Sequence, residues 1–485
     1  MHGIAMGRLA TLVCVALWGA SAAADEGEPA PKSSAELAAA GLASVESLPA
    51  GEAPLVVLTG GTVMTAAGDV YDVGHVVLKD GKIDAVGEGA APEIDGAVVV
   101  DTTGRFVTPG LIDTHSHLGV YPSPWARAHS DGNEATRATT PGVWAEHSFW
   151  PQDPGLQLAA AGGVTTLQIL PGSANLVGGR GVVLRNVPTR GSRAMRFPGA
   201  PETVKMACGE NPKRVYGEKG GPSTRMGNIR GQRNVFIAAA EYKKKWDAYE
   251  RDLAAWQAAQ DDDSGKKKKG GPKKPDMPGQ DLDKETLAGV LAGEILPQIH
   301  CYRADDMLSM LQIADEFGFE VRSFHHAIEA YKIRDVLAAR DVSVSTWADW
   351  WGFKLEAYDA VQENAAMVHD AGGRAIIHSD SGIGIQRLNQ EAAKAYHAGR
   401  RMGLELDDDD ALSWITVNAA WALGVDDEVG TLESGKRADV VVWSAHPLSV
   451  YAHADQVFID GLLRWDRSQD NATWADFQVG QEVQP

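Results

Sequence analysis

Two histidines separated by one residue end an apolar run, and their spacing could create half of a metal site. The run is Phe106-Val-Thr-Pro-Gly-Leu-Ile-Asp-Thr-His-Ser-His-Leu-Gly119. In an extended strand, residues two apart point to the same side, so His115 and His117 can direct two imidazoles at one point. Imidazole nitrogens are common ligands of zinc. An isolated HxH pair is equally consistent with an ordinary core strand, so the rest of the chain must decide.

The middle of the chain alternates β-rich runs with helical stretches, which predicts parallel β/α units. Together with the strand that ends at His115, seven further runs predict an eight-stranded α/β fold, a (β/α)8 barrel of the TIM type. Helices are predicted at Met307–Phe317, Gln386–Met402 and Asp408–Leu423. The seven further strands are Val164–Leu170, Gly181–Arg185, Glu202–Cys208, Ile295–His300, Phe319–His325, Val342–Thr346 and Arg374–His378.

Polar side chains lie in these strands or directly after them. Because residues at the C-terminal ends of barrel strands converge on one mouth, we expect these side chains to meet. His325 and His326 are neighbours, and strand alternation sends neighbours to opposite faces, so we expect only one of them to reach the cluster. The candidates are His115, His117, Lys205, His300, His325, His326 and Asp380.

Both ends of the chain contain short β-rich runs separated by turn residues. We interpret residues 51–108 and 431–485 as one small composite β-sandwich subdomain, with the barrel between them at residues 109–430. Within the barrel, residues 241–285 are predicted to be a charged insertion, with a helix at Glu241–Gln260 followed by a lysine-rich segment. For that basic segment a flexible loop is favoured over a surface that binds anions.

The N-terminus has a basic start, a short apolar run and small residues before Asp25, which indicates a signal peptide at residues 1–24. Residues 25–50 resemble a flexible linker. An exported protein, periplasmic or secreted, with no membrane span after cleavage is therefore predicted. Cys208 and Cys301 are the cysteines beyond residue 24. For these two residues, buried thiols are favoured over a disulfide. Acidic residues exceed basic ones, 65 to 45, which argues against a nucleic-acid partner.

Four motifs make the chain resemble the metal-dependent amidohydrolase superfamily, nearest its imidazolonepropionase-like and prolidase-like branch. The resemblance runs from about Leu55 to Gly461 and implies a β/α barrel with a small β-sandwich. It also implies one or two divalent metals at the mouth, with Zn²⁺ the expected ion. The motifs are Pro109–His117, His378–Ser381, Ile415–Gly424 and Gly430–Asp439.

The resemblance implies metal-ligand roles for particular residues. His115, His117, His300 and Asp380 match ligand positions, and His326 is chosen over its neighbour because it precedes a small residue, Ala327. Lys205 matches a lysine that related enzymes carry as a carbamate bridging two metals. An unmodified ammonium is a poor ligand, so this role requires carboxylation. A lysine paired with a nearby acid stays an alternative, and Glu210 could supply the bridging carboxylate instead.

The implied activity is hydrolysis of a carbon–nitrogen bond in an amide, a cyclic amide or a small peptide-like substrate. Metal-activated water would attack, and Asp380 would pass its proton to the leaving nitrogen. His378 could orient a ligand from behind it. Arg180, between the second and third strands, and Tyr331, after the sixth, are candidate substrate contacts, although a solvated loop arginine and a helix start explain them equally well.

Three alternatives remain open on the sequence. An Xaa-Pro type dipeptidase and an imidazolonepropionase-like ring hydrolase both suit the motifs, with a small molecule or short peptide as substrate. A barrel that serves as a non-catalytic binding protein belongs to a different class, and the intact ligand set argues against it. The sequence leaves a homo-oligomer open.

Overall fold

The computed structural model describes residues 52–261 and 272–469, and it contains two eight-stranded sheets. The predicted signal peptide, the predicted linker and most of the lysine-rich segment lie outside the described residues. The strands are β1 Val56–Met64, β2 Val70–Lys79, β3 Lys82–Glu88, β4 Val98–Asp101, β5 Phe106–Pro109, β6 Leu111–Ser116, β7 Val164–Ile169, β8 Val177–Arg185, β9 Glu202–Ala207, β10 Ile295–Cys301, β11 Ser323–His326, β12 Ser343–Thr346, β13 Ala375–Ile377, β14 Val440–Trp443, β15 Ala454–Ile459 and β16 Leu462–Asp466. The helices are α1 Pro154–Ala161, α2 Ser192–Met195, α3 Glu210–Tyr216, α4 Arg225–Asp261, α5 Leu282–Leu291, α6 Ala304–Phe317, α7 Arg334–Ala339, α8 Asn364–Asp370, α9 Leu388–Met402, α10 Asp408–Ser413 and α11 Val417–Leu423.

One sheet combines strands from both ends of the described chain. Its order is β16-β15-β14-β5-β1-β2-β3, with β4 paired to β1. The hairpin between β2 and β3 turns at Asp80 and Gly81, where the positive φ values of 51° and 77° suit an Asp-Gly turn. Strand β14 pairs antiparallel with β5, opposing Val440 to Pro109. The organisation of this sheet as a separate β-sandwich subdomain stays a prediction.

The other sheet is the TIM-barrel-like sheet that the sequence predicts. Its order runs β13-β12-β11-β10-β9-β8-β7-β6, and all eight predicted strands are present. The prediction of parallel strands throughout is wrong for β8, which is antiparallel to both neighbours. Only residues 170–176 separate β7 from β8, and a parallel crossover needs a dozen or more residues. The chain therefore makes a hairpin at this point.

The two outer strands of this sheet, β6 and β13, are joined at their C-terminal ends by a backbone hydrogen bond from Asp380 to the carbonyl of His115 (2.9 Å). Nearer the other end, Trp414 and Ile415 lie between these strands. The amide of Ile377 donates to the carbonyl of Trp414 (3.0 Å), and the amide of Ile112 donates to that of Ile415 (2.9 Å). These contacts close the sheet into a barrel.

The same contacts explain why the single helix predicted over Asp408–Leu423 is wrong. The structure has two helices there, α10 and α11, and Thr416 between them has non-helical angles, φ −135° and ψ −97°. The carbonyls of Trp414 and Ile415 bind barrel strands instead of helical amides. A capping box between Asp407 and Asp410 starts α10. Helix α6 contains the predicted helix Met307–Phe317, and α9 begins two residues after the predicted start of Gln386–Met402.

The long helix α4 begins well before the predicted insertion of residues 241–285. Its first half packs on the barrel, where Phe236 is fully buried and stacks on Phe319 with ring centroids 4.6 Å apart. Its second half is largely exposed, as the charged sequence predicts. Helix α5 begins inside the predicted insertion and continues beyond it, where Leu287 and Val290 are buried in the barrel core. Across the described residues, no helix combines the length and apolar character needed to span a membrane.

The prediction of two separate thiols is wrong, because the structure contains a disulfide between Cys208 and Cys301. Both cysteines are buried at the C-terminal ends of neighbouring strands, β9 and β10. The amide of Cys208 also donates to the carbonyl of His300 (2.9 Å). The two cysteines are 93 residues apart in the sequence, and the pairing of β9 with β10 brings them together.

Gly110, between β5 and β6, allows a close approach at the base of the barrel. A Cβ atom there would lie 2.1 Å from Oγ1 of Thr165. We expect Gly110→Ala to lower the free energy of unfolding by about 1–3 kcal/mol through overpacking. Gly279→Ala is the matched control, because a Cβ atom there meets nothing within 4 Å. Equal urea midpoints for the two variants would contradict this account of the β5–β6 junction.

Candidate metal centre

His115 in strand β6 and His117 just after it both face the mouth of the barrel. His115 is fully buried, whereas the side chain of His117 is 18% exposed. Nδ1 of His117 lies 2.8 Å from the carbonyl oxygen of Leu170, which can only accept, so this nitrogen carries the proton. Its Nε2 then faces Oδ1 of Asp380 at 3.2 Å. Backbone geometry therefore turns the free nitrogen of His117 toward the predicted carboxylate ligand.

Lys205 lies inside the barrel beside the first histidine. Its Nζ is 3.0 Å from Nε2 of His115, and its side chain is one of the largest that is fully buried. Burial lowers the pKa of Lys205 to about 7, with the charge of Asp380 acting in the opposite direction. An amine with such a pKa is partly uncharged at neutral pH, and the uncharged form is the nucleophilic one.

His325 and His326 both face the barrel interior, so the prediction that alternation sends them to opposite faces is wrong, although only His326 is in a ligand group. His325 contacts Nδ1 of His115 (2.9 Å) and Oε1 of Gln298 (2.7 Å). The backbone of His326 has a φ of +68°, which departs from the extended conformation and turns its ring back to the mouth. The ring centroids of His326 and His115 lie 4.8 Å apart.

His300 and His378 complete the ring of imidazoles. The ring centroid of His300 is 4.5 Å from that of His326, and that of His378 is 5.0 Å from it. Nε2 of His378 accepts from the amide of His326 (3.3 Å), so in the neutral ring its Nδ1 carries the proton. Burial lowers the pKa of His378 to about 3 and that of His300 well below its usual range. Both rings are therefore neutral, which is the form that binds metals.

Asp380 follows β13 and faces three of these histidines. Its Oδ1 is 3.2 Å from Nε2 of His117 and 3.7 Å from Nε2 of His115, and its Oδ2 is 3.9 Å from Nδ1 of His326. Burial raises the pKa of Asp380, but the neighbouring His117 ring and the amine of Lys205 outweigh it, so the pKa is lowered overall. The φ of Asp380 is +48°, a left-handed conformation that aspartate tolerates better than most residues.

The residues present fit a divalent metal. Two groups of side chains have ligand atoms that all lie within 4.8 Å of one another: His115 with His326 and His378, and His115 with His117 and Asp380. Among the residues that the structure describes, Nδ1 of His300, His326 and His378 is buried without a hydrogen-bond partner. Unpaired buried nitrogens are costly, and two of these three belong to predicted ligands, His300 and His326. Imidazoles with one carboxylate suit zinc and similar ions.

Comparison with known proteins shows which family the chain belongs to. The chain is 37% identical to an amidohydrolase from Thermotoga maritima MSB8 of known crystal structure. The alignment covers 85% of this chain and 100% of that one, with a TM-score of 0.73. The chain belongs to the amidohydrolase family. The model of the amidohydrolase family also matches residues 354–478, which include Asp380. Homologues in this family are hydrolytic enzymes that act on carbon–nitrogen bonds.

Two curated relatives extend the comparison. The chain is 33% identical to amidohydrolase tasK of Hapsidospora irregularis over 81% of its own length, but it spans only 40% of that relative. It is 27% identical to an imidazolonepropionase of Sphingopyxis alaskensis, over 79% of this chain and 90% of the relative.

His300 is in neither ligand group, although its ring lies beside that of His326. Three further predicted residues of this amidohydrolase have their contacts elsewhere. Arg180 lies within β8 rather than between strands, and its Nε donates to Thr286 Oγ1 (2.9 Å). The hydroxyl of Tyr331 donates to the carbonyl of Asp359 (3.1 Å). The carboxylate of Glu210 lies 3.8 Å from Nζ of Lys354. These contacts give Arg180 and Glu210 partners of their own.

Sequence reasoning missed Asp113, which organises the mouth from below. Its Oδ1 accepts from the amides of His115 (3.1 Å) and Ser379 (3.1 Å), and its Oδ2 accepts from the hydroxyl of Ser379. Asp113 is fully buried, and burial raises its pKa to about 6. The signal in the sequence was its position two residues before His115, which places both side chains on the same side of β6.

An aromatic wall also borders the cluster. Tyr302 and Trp347 stack on the ring of His326, with centroids 5.1 Å and 4.3 Å away. Trp350 and Phe353 continue this wall outward and are about half exposed. The aromatic residues that follow β12 therefore lie directly beside a candidate ligand.

Removing the Asp113 carboxylate should weaken both the closure of the barrel and the cluster of histidines at its mouth. Asp113→Ala leaves three buried donors without an acceptor, and we expect a loss of about 3 kcal/mol in the free energy of unfolding. Asp113→Asn is the control, because its amide oxygen still accepts from the two backbone amides and the hydroxyl of Ser379 can reverse to face the new amine. Thermal unfolding of the two variants, measured together, distinguishes them. An alanine variant that melts with the asparagine variant would contradict the role of Asp113.

Proposed function

We propose that this amidohydrolase is a metal-dependent hydrolase of carbon–nitrogen bonds in amides, cyclic amides or small peptide-like compounds. The observation that carries the proposal is the grouping of His115, His117 and Asp380 beside three buried imidazole nitrogens without partners. Neutral imidazoles and one ionised carboxylate create the charge and ligand set of a catalytic metal site with room for water. A purely binding role would not require such a set.

The ion would be held by His115, His117, His300, His326 and Asp380. His378 would orient these ligands from behind them. A divalent ion bound there would lower the pKa of water toward neutrality and polarise the carbonyl group of a substrate. The lowered pKa of Asp380 keeps its carboxylate ionised and able to accept a proton. Its side chain is 23% exposed, so an oxygen atom can face both the incoming water and the leaving nitrogen.

Carboxylated Lys205 is the proposed second anionic ligand. Its pKa of about 7 supports this modification, since an uncharged amine can react with carbon dioxide whereas an ammonium cannot. Its Nζ already lies 3.0 Å from His115 Nε2, within the first ligand group. A carbamate there would allow two metals. Glu210 is a weaker candidate for this role, because its nearest recorded charged partner is Lys354.

The imidazolonepropionase relative supports a ring hydrolase as one form of the proposal, and a small peptide substrate is the other. The aromatic wall favours a substrate with an apolar group next to the scissile bond. Export to the periplasm or beyond remains part of the proposal. The Cys208–Cys301 disulfide supports it, because disulfides persist in oxidising compartments.

Asp380→Asn should retain the fold and lose turnover by about 10²–10⁴-fold, because the amide cannot accept the proton. The assay uses Zn²⁺-loaded protein with dipeptides, N-acyl amino acids and cyclic ureides, and metal content is measured on the same samples. Asp341→Asn is the control, since Asp341 is an exposed partner of Arg374. Near-native hydrolysis by Asp380→Asn at full metal content would reject the proton-transfer role. If the native protein hydrolysed no member of any class, the proposed function would fail.

Metal content can decide between the two candidate bridging groups. If carboxylated Lys205 is a ligand, Lys205→Met should bind about one metal ion fewer per chain while Glu210→Gln binds the native amount. Both substitutions preserve side-chain length, so packing changes are small. Elemental analysis after identical dialysis provides the comparison. The reverse pattern would assign the bridge to Glu210.

A further inference from the structure

The hydrogen bonds behind His115 form an unbroken line that begins at a backbone carbonyl of helix α11. Nε2 of Gln298 lies 3.1 Å from the carbonyl oxygen of Ala422, and Oε1 of Gln298 lies 2.7 Å from Nε2 of His325. Nδ1 of His325 then lies 2.9 Å from Nδ1 of His115. The side chains of all three polar residues are buried, so water does not compete for these contacts.

The chemistry of each group fixes the direction of these bonds. A carbonyl oxygen only accepts, so the amide nitrogen of Gln298 faces Ala422 and its oxygen faces His325. That oxygen also only accepts, so the proton of His325 lies on Nε2. Both partners of His325 are uncharged groups, and a buried imidazolium without an anion is costly, so its Nδ1 is an acceptor. His115 must therefore donate from Nδ1, which leaves its Nε2 without a proton.

Contacts at the other nitrogen of His115 are compatible with the same result. Nζ of Lys205 lies 3.0 Å from Nε2 of His115, where the amine can donate a hydrogen to it. Oδ1 of Asp380 is 3.7 Å from the same nitrogen, too far for a hydrogen bond that would hold a proton there. The lone pair of Nε2 therefore points into the ligand cluster.

We propose that Gln298 and His325 are positioning residues that hold His115 in the tautomer that binds metal through Nε2. The inference rests on the proposed metal centre. A ligating histidine usually donates its other N–H to a carboxylate, carbonyl or water, which orients the ring and strengthens the metal bond. Here the acceptor is a second imidazole, and its own tautomer is set by a glutamine fixed to a backbone carbonyl. His325 thus supports the centre without binding the ion.

Metal affinity tests this role without any need for activity. Gln298→Met removes the acceptor at similar volume and should weaken Zn²⁺ binding about 10–100-fold in competition with a chromophoric chelator. Gln298→Glu retains an acceptor oxygen for His325 and should bind within a few-fold of native. Gln168→Met is the matched control, because Gln168 is an equally buried barrel glutamine whose amide donates to Thr203. It should lose stability but retain native affinity.

Nitrogen NMR of the native, metal-free protein tests the tautomers directly. With ¹⁵N-labelled histidine, a coupling across the hydrogen bond between the two Nδ1 atoms would identify His115 and His325 without any variant. The expected spectrum has the His115 proton on Nδ1 and the His325 proton on Nε2. A His115 proton on Nε2 would overturn the inference, as would native affinity in a folded Gln298→Met. If the native protein binds no divalent ion, the proposed function fails, while the spectrum still decides the tautomers.

Discussion

The barrel closes where the site is assembled, and one carboxylate controls both. Asp113 accepts from the amide of His115 on the first barrel strand and from the amide and hydroxyl of Ser379 after the last. One residue further on, the amide of Asp380 donates to the carbonyl of His115. The contacts that join the ends of the sheet therefore also bring Asp380, the candidate proton-transfer group, next to His115. Closure and assembly of the cluster are a single structural event.

This arrangement gives the barrel an unusually polar centre. TIM barrels are commonly filled with branched apolar side chains, whereas here Lys205, Gln298 and His325 are buried inside. Hydroxyl groups continue the network, with Thr114 Oγ1 2.9 Å from Ser345 Oγ. Buried polar groups are tolerated only when they are paired, and paired networks hold side chains in one geometry. The interior gives up apolar burial and gains the fixed orientation that a ligand cluster requires.

The sequence was most informative where chemistry and strand ends coincide. His115, His117, His300, His326 and Asp380 could be selected because each ends or follows a strand and because parallel strands share a mouth. The sequence was less informative where tertiary contacts override a local pattern. Alternation did not account for the positive φ of His326. Helical periodicity did not show that the carbonyls of Trp414 and Ile415 accept hydrogen bonds from amides of neighbouring strands. Asp113 lies within a motif whose histidines attract the attention, Gln298 lies in no motif, and the fold is needed to show what either side chain contacts.

The reversed direction of β8 has a consequence for how such a barrel can diversify. The hairpin segment 170–176 lies at the mouth, where Leu170 contacts His117, while residues after β8 return to the opposite end, where Asn186 contacts the start of β7. In an all-parallel barrel, the segment after each strand is free to acquire new substrate contacts. Here residues 186–201 follow β8 at the end of the barrel opposite the mouth. Evolutionary adaptation at this sector would have to lengthen the hairpin itself, which makes residues 170–176 the place to look for lineage-specific insertions.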